Sequence, residues 1–102
     1  MFFSIFLFIF SRSEIFSGIC GENVTYEFDN ETKVLTISGS GQISSYDDPR
    51  NRPWFSFIND ITRIIINDGI ESIGANNFYL FSALETVELP DSLTNIDKNA
   101  FQ

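Results

Sequence analysis

A serine or threonine nucleophile needs a base within hydrogen-bond reach, and this chain of 102 residues contains no His. Carboxylates, or Lys33 and Lys98, would have to fill that role, and none of them stands in a motif that couples it to a hydroxyl. The same absence removes the commonest metal ligand, and a single Cys, Cys20, excludes a disulfide within the chain. Asp29-Asn30-Glu31 and Asp47-Asp48 offer oxygens that could meet calcium. Neither has the glycine-punctuated spacing of a calcium loop, and both read as solvated turns. Gly39 and Gly41 lack the G-K-[ST] continuation of a phosphate cradle. The expectation is a protein that is not an enzyme and that uses no metal or cofactor. Asn23-Val24-Thr25 and Asn30-Glu31-Thr32 both satisfy the glycosylation sequon, which makes Asn23 and Asn30 candidate modification sites.

Charge narrows the partners. Six Lys or Arg against fourteen Asp or Glu give a formal charge of -8, which repels nucleic acid and anionic lipid and favours proteins, glycans or basic surfaces. The length suits one domain.

From Phe2 to Phe10 the chain is apolar except at Ser4, too short for a membrane span of about 20 residues but matched to a signal-peptide core. Small residues follow at Ser11, Ser13, Ser17 and Gly18. The expectation is a signal peptide over residues 1–17, cut after Ser13 or after Ser17, and a secreted or cell-surface product with no membrane span in the mature chain. No basic residue precedes the run, so a buried strand or an uncleaved anchor is the competing reading. Cys20 would lie near the new amino terminus. The preceding Ile19 is too large for a lipidation signal, which leaves a free thiol or half of a bridge to another molecule.

The elements that would carry any surface follow from an internal repeat. Residues 61–79 align with residues 84–102, a shift of 23, without a gap: Ile61, Ile64 and Ile66 fall on Leu84, Val87 and Leu89, Ile70 and Ile73 on Leu93 and Ile96, and Phe78 on Phe101. Alternation in a short strand turns Ile64, Ile66, Val87 and Leu89 inward and Arg63, Ile65, Thr86 and Glu88 outward. Asn67-Asp68-Gly69 and Pro90-Asp91-Ser92 then make corners. Ile70, Ile73, Leu93 and Ile96 return inward, and Phe78 and Phe101 close each coil. Two amphipathic helices of equal length are the alternative. The β-branched run Ile64-Ile65-Ile66 between turn residues disfavours them.

These coils resemble the BspA-like leucine-rich repeat surface proteins of bacteria and of parasitic or commensal protozoa, whose repeats read as a short strand followed by P-x-S-V-T-x-I-G-x-x-A-F. The match runs from Leu89-Pro90-Asp91-Ser92-Leu93-Thr94 through Ile96 to Ala100-Phe101, with Asp68 to Phe78 as the coil before it. Two positions depart: Asn77 replaces the usual Ala, and Phe81 stands where the family often has Cys. Upstream, Cys20-Gly21-Glu22-Asn23-Val24-Thr25-Tyr26, then Leu35 to Gly41 and Pro53-Trp54 resemble the segment preceding such repeats.

Residues 18–60 read as a small cap. Val24, Tyr26 and Phe28 alternate with polar residues, Asp29 to Thr32 turn the chain, and Leu35 and Ile37 continue a second strand. Pro49 and Pro53 exclude helix. Trp54, Phe55 and Phe57 cover the open side of the first coil, with a sugar-stacking platform as their alternative use.

The fold class expected is therefore a β-rich leucine-rich repeat solenoid, with a short strand plus turn and irregular coil per 23-residue repeat, and a small N-terminal β cap. Residues 61–83 form the first repeat, and residues 84–102 an incomplete second. Stacked strands make the working surface, so Arg63, Ile65, Thr86 and Glu88 are the candidate ligand-binding residues, Ile65 having packing against the cap as its other explanation. The resemblance implies adhesion to proteins or glycans on host or neighbouring cells. With Leu89, Leu93, Ile96 and Phe101 on one bare side, the chain reads as a fragment of a longer array or as one that self-associates through that end. A structural remnant without a ligand is the alternative, and a hydrolase a distant third.

Overall fold

The structure, a computed structural model, describes residues 14–101. Of the expected leader, residues 1–13 lie outside the described residues, and Ile15 to Ser17 belong to the first strand. Strands β1 (Ile15–Gly21), β2 (Val24–Asp29) and β3 (Val34–Gly39) form an antiparallel meander. Asp29 closes its second turn: its Oδ1 accepts from the amides of Glu31 at 2.8 Å and Thr32 at 3.3 Å, and Lys33 takes a positive φ of 66°.

From β3 onward the pairing becomes parallel. β5 (Arg63–Ile66) lies beside β3, with Leu35 opposite Ile64 and Ile37 opposite Ile66, and β7 (Thr86–Glu88) lies beside β5, with Ile64 opposite Val87. The sheet order is β1-β2-β3-β5-β7. A second, parallel sheet of β4 (Gly41–Gln42), β6 (Ile70–Ile73) and β8 (Asn95–Ile96) stands after the corners. The repeat is visible as bonds between adjacent coils: the amide of Asn76 donates to the carbonyl of its counterpart Asn99 at 3.2 Å, and that of Phe78 to the Ala100 carbonyl at 2.7 Å.

The core fills the space between the two sheets. Leu35, Ile37, Ile43, Ile64, Ile66, Ile70 and Ile73 are buried, as the alternation predicts. The corner after β5 requires Gly69: its φ is 108°, and a Cβ there would lie 2.3 Å from the Gly39 carbonyl oxygen. In the next coil Ser92 occupies the matching place, and its hydroxyl accepts from the Gly69 amide at 2.9 Å while donating to the Ile70 carbonyl at 2.8 Å.

Two aromatic expectations need correction. Trp54 is fully buried and stacks on Phe78, but Phe57 stacks on Phe28 at 4.6 Å, and Phe55 is exposed. Phe101, expected to close its coil as Phe78 does, remains partly exposed, as do Leu89 and Ile96, because β7 and β8 are edge strands. Among the described residues no helix is long and apolar enough to cross a membrane.

Candidate binding surface

Two rungs were expected to carry the outward surface, and the sheet continues it across five strands. The register sets Ile15, Asp29, Val34, Arg63 and Thr86 in one row, and Ser17, Glu27, Thr36, Ile65 and Glu88 in the next. All four candidate residues lie on this face, on the adjacent strands β5 and β7, and none is in the core. The Arg63 guanidinium donates to the Glu88 carboxylate diagonally across the two strands, with both side chains about half exposed. Ile65 is half-buried on the outward face, between Thr36 of β3 and Glu88 of β7.

A shallow groove of about 330 Å³ crosses the face from Ile15 and Asp29 over Val34 to Arg63. Its walls are mixed: aliphatic Ile15 and Val34, the hydroxyls of Thr32 and Thr36, the carboxylates of Glu27 and Asp29, and the Arg63 cation. Such a surface offers hydrogen bonds, van der Waals contact and predominantly negative charge. Reasoning on the 23-residue shift missed Val34, Thr36, Glu27 and Asp29, because β3 stands 29 residues before β5. The signal that could have found them is the alternating Val34-Leu35-Thr36-Ile37, which has the same inward and outward pattern as Arg63-Ile64-Ile65-Ile66.

The face is held in place from behind by the connection between β4 and β5. Trp54 stacks on Phe78, and its Nε1 donates to the Asn77 carbonyl at 2.8 Å. Asn77 is fully buried and bonded on both ends of its amide, accepting from the Gly74 amide at 2.8 Å and donating to the Ser44 carbonyl at 2.7 Å. That explains its departure from the family pattern. The side chain faces the irregular upstream segment, whose Ser44 carbonyl needs a donor, whereas buried Ala100 occupies the matching place in the next coil.

Arg52 is also buried. Its Nη1 donates to the carbonyls of Asn76 at 3.1 Å, Asn77 at 3.3 Å and Tyr79 at 2.7 Å, and its Nε donates to the Pro49 carbonyl at 2.6 Å. The guanidinium lies 5.6 Å from the ring centre of Phe81, so the aromatic side chain at the position where the family often has Cys supports a cation. Burial draws the Arg52 pKa below the ordinary arginine value.

The remaining candidates lie away from the groove. Asn23 is exposed at the tip of the β1–β2 turn. Asn30 is half-buried and engaged with Glu14: its Oδ1 accepts from the Glu14 amide at 2.9 Å, and its Nδ2 donates to Glu14 Oε1 at 3.4 Å. Cys20 is buried and free, and burial pushes its thiol up to about 12. A separate apolar depression of about 270 Å³, between Phe78, Leu80, Phe81, Leu84 and Phe101, opens near the far end.

Residues 50–102 match the family model described as the BspA type leucine rich repeat region. The crystal structure of a leucine-rich repeat protein from Eubacterium ventriosum ATCC 27560 is similar, with a TM-score of 0.77 and 28% sequence identity over 81% of this chain and 22% of that one. The chain thus spans well under two thirds of that protein's length. No curated protein matches the chain.

Proposed function

The chain belongs to the BspA-type leucine-rich repeat family, and from that membership we propose that it is a secreted or cell-surface protein that binds proteins or glycans on host or neighbouring cells. In this reading an export signal lies within residues 1–17 and is cut after Ser13 or after Ser17, residues 18–60 form an N-terminal cap, and residues 61–83 and 84–102 are successive coils of a solenoid that is part of a longer array. The observation that carries the proposal is the continuous outward face, on which Arg63, Ile65, Thr86 and Glu88 adjoin the groove over Val34. No step of chemistry is required of it, and the acidic balance of the chain disfavours nucleic acid as the partner.

The test is binding of the immobilised protein to extracellular matrix proteins and to a glycan panel. Arg63→Glu and Ile65→Asp should weaken any captured partner by about tenfold or more, the scale of losing a central contact. Glu71→Lys, on the second sheet, should leave affinity unchanged. Equal effects on both sheets would remove the outward face as the site.

A second reading concerns the bare end, where Leu80, Leu89, Ile96 and Phe101 are exposed beside the edge strands β7 and β8. Self-association there predicts a concentration-dependent mass in sedimentation equilibrium that Leu89→Lys abolishes.

A further inference from the structure

Of the two bonds at which the leader could be cut, one lies just ahead of β1 and the other inside it. A cut after Ser17 would remove Ile15, Phe16 and Ser17, and with them the pairings to Asp29, Phe28 and Glu27. It would also uncover Phe57, whose ring lies 4.8 Å from that of Phe16 and which itself stacks on Phe28. A cut after Ser13 leaves β1 whole and retains Glu14, which is bracketed by Asn30. The Glu14 amide donates to Asn30 Oδ1 at 2.9 Å, the Asn30 amide donates to the Glu14 carbonyl at 3.1 Å, and Asn30 Nδ2 reaches Glu14 Oε1 at 3.4 Å.

The sequence at the two bonds separates them in the same direction. A leader peptidase reads small residues at the first and third positions before the bond it cuts. Ser13 and Ser11 fill both places at the earlier bond, whereas at the later one Ser17 is accompanied by the branched Ile15.

We propose that the chain is processed between Ser13 and Glu14, so that Glu14 is the first residue of the mature protein and its new α-ammonium docks on Asn30. The inference rests on the secretory reading above. A leader peptidase, with water as the second reactant, breaks the amide bond; the carboxylate remains on Ser13 and the amine on Glu14. The ammonium takes over the hydrogen bond that the Glu14 amide now makes, and its positive charge strengthens the bond to Asn30 Oδ1.

The experiment expresses the full chain with a carboxy-terminal tag in a yeast secretion host and sequences the amino terminus of the exported protein, a readout that glycans do not disturb. Glu-Ile-Phe-Ser is the expected start. An exported product beginning at Gly18 overturns the inference and leaves the secretory reading standing; a retained chain still beginning at Met1 overturns both. Ser17→Leu should leave the start at Glu14, and a shift or loss of processing in that variant counts against the inference. Ser13→Leu should lose the Glu14 product, and undiminished recovery of that product overturns the assignment of the cut to a leader peptidase that reads Ser13.

Discussion

The indole of Trp54 lies on the ring of Phe78 with centres 5.8 Å apart and planes 21° from parallel, and its Nε1 donates to the carbonyl of Asn77, the residue preceding Phe78. One side chain thus joins the irregular connection to the first repeat by both dispersion and a hydrogen bond. Trp54→Ala should cost about 3–5 kcal/mol, as truncation of a large buried aromatic does. Trp54→Phe keeps the stack and loses the donor, for about 1–2 kcal/mol. Denaturant titration of both variants checks the order, and a Phe variant as unstable as the Ala one would refute the division.

Asn77 and Ala100 occupy the same place in successive coils but are not exchangeable. Asn77→Ala leaves the Gly74 amide and the Ser44 carbonyl without their partner, at about 1–3 kcal/mol for each buried group left unsatisfied. The unfolding midpoint should fall accordingly. A midpoint within error of the parent would mean that water replaces both bonds.

For Arg63 and Glu88 the expectation is small. Their ion pair is half exposed, so a double-mutant cycle over Arg63→Ala and Glu88→Ala should give a coupling of about 0.2–1 kcal/mol that shrinks as salt is added. The contrast with the binding losses expected at Arg63 separates recognition from folding. A coupling of several kcal/mol would instead make the pair a structural feature.

Cys20 supplies a dependence on pH. Its thiol is held protonated up to about 12 in the fold, against 9.0 without the fold's influence, so between these values the unfolded chain carries fewer protons than the native one. Stability contributed by this group is complete below pH 9 and declines as pH rises toward 12. Cys20→Ala should remove that part of the alkaline loss. In the native protein at neutral pH a thiol reagent should react slowly, and denaturant should release the reaction.

Much of the architecture was legible in the spacing. The inward set Ile64, Ile66, Ile70 and Ile73 and the outward set Arg63, Ile65, Thr86 and Glu88 follow from alternation and corners alone, and the burial pattern agrees. The outward surface was underestimated because β3 and β4 pair with β5 and β6 at a separation of 29 residues, as in Leu35 with Ile64 and Gly41 with Ile70. The six extra residues break the 23-residue pattern. Partner choice among the aromatics was also hidden: nothing in the spacing of Trp54, Phe55 and Phe57 says that the first faces Phe78, the second solvent and the third Phe28. Trp54 stands just before the 3₁₀ turn over Phe55–Phe57, between β4 and β5, where the direction each ring takes is set by tertiary contact rather than by alternation.

The amide at Asn77, set against the methyl of Ala100, gives otherwise similar coils a fixed order of succession. A gene duplication that copied the first coil to a later place would seat a carboxamide against a neighbour with no Ser44 carbonyl to receive it, while a copy of the second placed first would leave that carbonyl stranded. The ladder therefore accepts the carboxamide only in the coil that meets Ser44, and the residue at this one position marks that coil.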